Sequence, residues 1–238
     1  MTYITRADIE FLPKQGFFVK KTNACYNAPG FSAIYRHNEP DWTKNYDSNK
    51  LKQATDRGIS FDSCIQAYYN AKICQLDCKN LLKSAEPLIE LISPIEQEIF
   101  VFGKIRQLPM LGFIDALIDM KNDRLNQLTR TKTSDKFVKG LTILDWKTKS
   151  SSNYNPAPLS KYILQISVYA RLAKIFYGID IEQGCVALAF ANGEPCQMLW
   201  INKQTMADSI CAFAGKIHKY KSNVDINWRG EYSLSYQL

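Results

Sequence analysis

The pattern of apolar and polar positions divides the chain into a series of helices and strands. Apolar side chains recur at helical spacing in residues 51–73 and 159–176, and two further helices are predicted at 80–91 and 203–220. Short apolar runs predict five strands, at residues 95–102, 110–120, 141–146, 184–190 and 197–201. The core order of helix, three strands, helix and two strands predicts an α/β (α+β) fold, in which helices flank a central mixed β-sheet.

Two segments lack a regular pattern. Residues 1–49 are rich in aromatic side chains and are predicted to form an irregular arm that packs on the core. Basic residues such as Lys20 and Lys21 lie among these rings, so the arm either packs as a loop-rich cover or stacks on unpaired bases. Residues 121–139 are polar and basic, and they predict a long loop insertion whose charges are either solvated or line a nucleic-acid path. No linker is evident, so residues 1–238 are predicted to be one domain.

Composition narrows the class of protein. With 238 residues, of which 46% are hydrophobic, the chain can bury a full core, and its net charge of +7 favours an anionic partner. Seven cysteines without a C-x-x-C pair predict free thiols in a reducing, intracellular and cytoplasmic compartment. The same scattered spacing argues against a zinc site or an iron–sulfur cluster. No apolar run reaches the roughly 20 residues that cross a bilayer, so no membrane partner is predicted.

Charged side chains occur inside two of the predicted strands. Asp115 interrupts the apolar run 111–118, and Asp145 and Lys147 lie two residues apart at the end of another. Side chains at i and i+2 of a strand point to the same side, and a hairpin would bring Asp115 close to that pair. Buried acids are unfavourable unless a cation lies between them, and Mg²⁺ suits such oxygen ligands, including the carbonyl oxygen of Trp146. Lys147 would then orient or deprotonate an attacking water and offset the charge of a phosphate.

The next predicted helix adds two polar side chains on one face. Gln165 and Tyr169 are four residues apart, which places them one helical turn from each other. They either hydrogen-bond the lysine or a phosphate, or they are ordinary amphipathic residues of a half-buried helix.

These residues together carry a resemblance to a known family. The pattern Gly112-x-x-Asp115, Asp145-x-Lys147 and Gln165-x-x-x-Tyr169 resembles the PD-(D/E)xK nuclease superfamily, in its RecB-like exonuclease branch. Within that branch, the segments GFIDALI, LTILDWKTKS and LQISVYARL are most similar to the mitochondrial genome maintenance exonucleases. The resemblance covers roughly residues 55–202 and implies a restriction-endonuclease-like core.

The resemblance implies a role for each matching residue. Lys147 is implied to be the catalytic lysine, and Gln165 and Tyr169 to support it. One or two Mg²⁺ or Mn²⁺ ions would bind at Asp115, Asp145 and the Trp146 carbonyl. Glu98 matches an acid on the first strand, with Glu96 as the competing choice.

One position departs from the family pattern. The usual metal-binding histidine of the first helix is replaced by Asp62, which we still expect to be a ligand, with a shift in preference towards Mg²⁺. Basic side chains near the matching segments and on the arm are predicted to bind the DNA backbone: Lys149, Lys161, Arg171, Lys20, Lys21 and Arg57.

The expected function is metal-dependent hydrolysis of phosphodiester bonds. The resemblance implies an exonuclease acting on single-stranded DNA ends in replication, recombination or repair, in a phage or bacterial setting. A structure-specific endonuclease that cuts flaps or junctions could use the same core. A DNA-binding protein with weakened catalysis is the alternative from another class, and Asp62 is the feature that favours it.

Overall fold

The computed structural model describes residues 2–12, 16–38, 47–70, 78–120, 135, 138–153 and 159–223. Among these residues, the α-helices α1 to α5 span Phe31–His37, Ser48–Tyr69, Lys79–Ile89, Leu159–Tyr177 and Lys203–Asn223. The eight strands β1 to β8 span Ile9–Leu12, Gly16–Val19, Ala24–Tyr26, Pro94–Ile105, Leu108–Met120, Gly140–Lys149, Gln183–Phe190 and Gln197–Asn202.

A five-stranded mixed sheet forms the centre of the protein. Its strand order is β4-β5-β6-β7-β8, and only the pair β6–β7 is parallel. Helix α4 makes the crossover between these two parallel strands, while the antiparallel pair β7–β8 is joined by a turn at Asn192–Gly193, as the sequence predicts. The predicted fold class, a mixed sheet flanked by helices, is therefore confirmed.

Both faces of this sheet are covered by helices. Leu172 of α4 and Phe213 of α5 belong to the core cluster on one face, and Phe61 of α2 and Leu88 of α3 belong to the cluster on the other. Every residue of β7 is buried, as expected for a strand that is covered on both sides. The sheet therefore supplies a rigid, dry support for any polar group that is placed within it.

The amino-terminal segment is more regular than its sequence suggests. The prediction of an irregular arm over residues 1–49 is wrong for its described part, where β1, β2 and β3 form a small antiparallel sheet and α1 follows. These strands are only three or four residues long, too short for a clear alternation of side chains. The arm packs on the central sheet through bridges from Thr5 to Ile99 and from Gly30 to Leu111.

Strands β5 and β6 separate part of the way along their length. They pair from Met120 with Gly140 to Ala116 with Leu144, and no further. Beyond that point β6 continues to pair with β7 as far as Lys149, whereas β5 pairs with β4 and, through the single bridge at Leu111, with Gly30 of the arm. The sheet therefore divides where the charged residues of β5 and β6 lie.

Three other predictions concern the basic loop, the cysteines and membrane-spanning segments. Most of the basic loop 121–139 lies outside the described residues. Asp135 of that loop accepts hydrogen bonds from the Asn202 amide at 2.8 Å and from the Thr205 hydroxyl at 2.9 Å. The prediction of free thiols is wrong for Cys64, which is disulfide-bonded. No helix among the described residues is long and apolar enough to cross a membrane.

Candidate active site at the division of the central sheet

The site lies where β4 and β5 depart from regular strand geometry. Gln97 pairs with Ala116 and Ile99 pairs with Ile114, so Glu98 lies opposite Asp115. Glu98 has a φ of +51°, in the left-handed region that a side chain rarely adopts. On β5, side chains two residues apart should point to the same face of the sheet, but this alternation is broken around Asp115. Ile114 packs in the cluster on the α4 side, whereas Ala116 packs in the cluster on the α2 side.

Asp115 takes the place of a backbone partner for β6. Its Oδ2 accepts a hydrogen bond of 2.9 Å from the backbone N–H of Trp146, beyond the last β5–β6 backbone pair. Burial raises the pKa of Asp115 well above its ordinary value, and the charge of Asp145 raises it further. The carboxylate thus bridges the two strands at the point where they separate.

Asp145 and Lys147 form a buried ion pair on the neighbouring strand. Lys147 Nζ lies 2.5 Å from Asp145 Oδ2, and it donates a hydrogen bond of 3.2 Å to the Trp146 carbonyl oxygen. The hydrogen bond and the opposite charges of this contact both favour the ionised form of Asp145. Burial raises the pKa of Asp145, with Lys147 opposing that effect. For Lys147, burial lowers the pKa, but Asp145 and Asp115 outweigh it, so the side chain is a cation rather than a base.

This set of donors fits a divalent metal ion. The Lys147 ammonium contacts two of the oxygens that were predicted as ligands, those of Asp145 and Trp146, so the oxygens already bind one cation. Two carboxylates and a carbonyl are hard oxygen donors, and Mg²⁺ is commonly held by one or two carboxylates with water and substrate phosphate completing its shell. Among the described residues, no three His, Cys, Asp or Glu side chains form a group that could hold a metal. The donor set is accordingly two carboxylates, those of Asp115 and Asp145, with the Trp146 carbonyl.

Asp62 and Glu98 lie at the edge of this set. Burial raises the pKa of Asp62, and Asp145 raises it further, while Lys147 lowers it. Burial likewise raises the pKa of Glu98, and the next contribution comes from Asp62. Asp62 is thus close enough to act on Asp115 electrostatically, whereas Glu98 is coupled to Asp62. Between the two candidate glutamates, the geometry favours Glu98, because a Glu96 carboxylate oxygen accepts a hydrogen bond from the Gln97 amide instead.

Helix α4 places a line of polar side chains over the divided sheet. Gln165 Nε2 lies 3.4 Å from the hydroxyl of Tyr169, and burial followed by the charge of Asp145 raises the pKa of that tyrosine. The ring of Tyr169 fits because residue 112 is glycine: a Cβ there would lie 2.4 Å from Cε1 of the ring. The pairing of Gly112 with Tyr169 therefore has a steric cause.

Tyr162 is a site residue that sequence reasoning missed. Its hydroxyl accepts a hydrogen bond of 3.2 Å from Lys149 Nζ. The ring centroid lies 5.4 Å from Lys147 Nζ and 5.3 Å from Lys149 Nζ. The signal was present, since Tyr162 precedes Gln165 by three residues and so shares its helix face.

Only some of the predicted DNA-binding residues lie near these groups. Lys149 and Arg57 both reach the end of β6, the arginine through a 3.4 Å hydrogen bond to Thr148. Lys161 lies over the ring of Tyr35.

The remaining predicted DNA-binding residues lie elsewhere. Lys21 is held by Asp8 at 2.8 Å and by the Tyr3 carbonyl, whereas Lys20 is exposed. Arg171 lines a cavity of about 630 Å³ between α4, α5 and the β4–β5 turn.

Comparison with known proteins gives little guidance. No family model and no curated protein matches the chain. A crystal structure of a candidate exonuclease from Eubacterium rectale is similar, with 11% identity, a TM-score of 0.42, and coverage of 71% of this chain and 69% of that one. A second solved protein, SSO0001, has 16% identity, a TM-score of 0.32, and coverage of 52% and 50% respectively.

Proposed function

We propose that the protein is a metal-dependent deoxyribonuclease that hydrolyses phosphodiester bonds at the division between β5 and β6. The supporting observation is the contact of one cation, the Lys147 ammonium, with both Asp145 and the Trp146 carbonyl, beside the buried Asp115. Buried acids at this position reduce stability unless a cation compensates them, so their presence favours a functional explanation over a structural one.

Asp115, Asp145 and the Trp146 carbonyl would hold Mg²⁺ or Mn²⁺. The ion would supply Lewis-acid stabilisation of charge on the phosphate and would lower the pKa of bound water. Asp115 has a second task that needs no metal, because its hydrogen bond to the Trp146 amide fixes the peptide plane between Asp145 and Trp146. The two strands are thereby kept at a fixed separation.

Lys147, Gln165 and Tyr169 act on the substrate side of the acids. As a cation, Lys147 donates hydrogen bonds to a non-bridging phosphate oxygen or to the attacking water, and offsets the negative charge that develops on the phosphate. Gln165 and Tyr169, which contact each other on α4, would position Lys147 from the helix side of the site. In the reaction, a water oxygen loses one proton to solvent and forms a bond to phosphorus while the opposite P–O bond breaks, and the leaving oxygen takes up one proton.

The substrate is proposed to be single-stranded DNA with a free end. The net charge of +7 and the basic side chains of Lys149 and Arg57 at the end of β6 favour a polyanion that is bound without sequence preference. The preference for ends and for single strands follows from the resemblance of the motifs. A flap or junction endonuclease would use the same catalytic groups.

The test compares three end-labelled DNA substrates: linear single strands, linear duplexes and closed circles. With Mg²⁺ or Mn²⁺, the proposal predicts loss of nucleotides from linear single strands and intact circles. Cleavage of circles would replace the exonuclease by an endonuclease. Binding of DNA without cleavage of any substrate would favour the weakened DNA-binding protein.

Matched variants establish that the cleavage belongs to this site. Lys147→Ala and Asp145→Asn are expected to lower the rate by at least about 100-fold, the usual effect of removing one charge-stabilising group. Lys203→Ala is the control, because that lysine is half exposed on α5 and pairs with Glu182 at 2.8 Å. Equal rates in Lys147→Ala and Lys203→Ala would contradict the assignment.

A further inference from the structure

The arm fixes a short stretch of backbone against β4. Thr5 bridges to Ile99, and the Phe100 amide donates a 2.8 Å hydrogen bond to the Ile4 carbonyl. The hydroxyl of Tyr177 donates to the Phe100 carbonyl at 2.7 Å and accepts from the Ile4 amide at 3.1 Å. Residues 4 and 5 are therefore part of the sheet edge next to Glu98.

The turn that follows is also held in place. Asp8 Oδ2 accepts hydrogen bonds from the Thr5 amide at 2.8 Å and from the Thr5 hydroxyl at 3.1 Å. Lys21 pairs with the same carboxylate at 2.8 Å. Because both ends of the turn Arg6–Asp8 are fixed, the direction in which Arg6 leaves the backbone is fixed as well.

The Arg6 side chain lies at the acidic edge of the site with most of its surface exposed. Its Cζ is 4.7 Å from the ring centroid of Phe113, and its Nη1 is 3.7 Å from Glu98 Oε2. That separation is too long for a hydrogen bond, and the side chain keeps 64% of its surface exposed. The ring supports the flat face of the guanidinium, which leaves its N–H groups available for another acceptor.

The position of Arg6 matters because phosphates are repelled by acids. The charge of Arg6 lowers the pKa of both Asp62 and Glu98, so the guanidinium acts on the acidic edge of the catalytic groups. A DNA strand bound at Asp115 would lie beside Glu98, because the strand register places Glu98 opposite Asp115. An arginine with free donors at that edge offers a phosphate the planar, two-donor contact that it binds best.

We propose that Arg6, supported by Phe113 and oriented by the arm, binds a backbone phosphate of the DNA strand beside the catalytic acids. This subsite rests on the proposed function, because it takes the same DNA strand as its ligand. It gives the arm a defined role: the arm completes the substrate-binding surface instead of only covering the core.

The test measures binding of a fluorescein-labelled oligo-dT, about 16 nucleotides long, in EDTA between about 50 and 200 mM salt. Arg6→Ala is expected to raise Kd about tenfold, as for loss of one charged hydrogen-bonded contact. It should also reduce the slope of log K against log salt by about 0.7, the value for one phosphate contact on a single strand. Arg6→Lys should keep the slope and recover only part of the affinity.

Two further variants separate phosphate binding from a structural role. If Arg6 served only to neutralise Glu98, then adding Glu98→Gln to Arg6→Ala would restore binding. The proposal predicts no restoration, with the slope still reduced. Arg106→Ala is the matched control, because it lies at the β4–β5 turn, eight residues and roughly 25 Å of extended strand from Glu98. Melting temperatures of all variants should agree closely with that of the wild type.

The outcomes distinguish this inference from the proposed function. An unchanged Kd and slope in Arg6→Ala, or full restoration by Glu98→Gln, would overturn the phosphate subsite while leaving cleavage at Lys147 untouched. If the wild type cleaved no DNA but Arg6→Ala still lost affinity and slope, the subsite would stand and the catalytic proposal would fall.

Discussion

Replacing Asp115 by asparagine should stabilise the protein while it abolishes activity. The asparagine oxygen can still accept the hydrogen bond from the Trp146 amide, which is 2.9 Å long in the wild type. The substitution removes a buried charge whose pKa is raised by burial and by Asp145. Replacing buried ion pairs by neutral residues is often neutral or stabilising by about 1–4 kcal/mol, and Lys147 stays paired with Asp145 in this variant, so we expect about 2 kcal/mol in EDTA. For a chain of this size that corresponds to a rise in Tm of about 4–8 °C.

The stability advantage of Asp115→Asn should also depend on pH. A carboxyl whose folded-state pKa is raised loses stability as pH rises through that pKa, so the wild type is penalised at neutral pH and relieved in acid. The advantage of Asp115→Asn should therefore shrink as pH falls from about 7 to about 4. Thermal unfolding in EDTA across this range measures it.

A companion variant should move in the opposite direction. Lys147→Met leaves Asp115 and Asp145 buried without their cation, at a cost of about 3–5 kcal/mol near neutral pH. A Tm for Asp115→Asn below that of the wild type at pH 7 would refute the reasoning. So would an advantage that did not depend on pH.

Three other predictions follow from particular contacts. Gly112→Ala should displace the ring of Tyr169 and lower cleavage by about 100-fold. Gly215→Ala is the control and should keep activity, because its added Cβ meets nothing within 4 Å. Equal activities of the two variants would contradict the steric argument. Tyr162→Phe keeps the ring near the lysines and loses only the hydroxyl contact to Lys149. Steady-state kinetics should therefore show a smaller loss of activity for Tyr162→Phe than for Tyr162→Ala. Equal losses of activity would contradict a role for the ring. Burial raises the pKa of Asp8, but its hydrogen bonds outweigh this and lower it below 3.8, so the stabilisation is present above that pH and is lost in acid. Urea unfolding of Asp8→Asn should therefore show a loss of about 0.5 kcal/mol near pH 7 that disappears near pH 2, and a loss that persisted in acid would refute it.

The sequence was informative where strand alternation is strict and the segment is buried. Asp115, Asp145 and Lys147 were recognisable because each interrupts or ends an apolar run, and the order of strands and helices followed from period alone. The structure brings all three together at the division of the sheet. Strand β6 is longer than predicted, because its last residues are polar on the side that faces the site.

Other parts of the site depend on backbone conformation and distant packing, which one sequence does not reveal. Glu98 has a φ of +51°, and no glycine or asparagine at that position signals it. Arg6 lies 92 residues from Glu98 in the chain, and their contact depends on an arm whose strands are too short to predict. Lys21 and Arg171 looked like DNA ligands by charge, yet one is paired with Asp8 and the other lines a separate cavity.

The central claim is that Asp115, Asp145 and the Trp146 carbonyl hold a divalent metal ion. Anomalous diffraction from crystals grown with Mn²⁺ tests this directly. We expect a peak at about 2.0–2.4 Å from an oxygen of each residue, the range for oxygen ligands of hard cations, with the peak absent in Asp145→Asn. A peak elsewhere in the protein, or an Mn²⁺-free acid pair in crystals that cleave DNA, would contradict it.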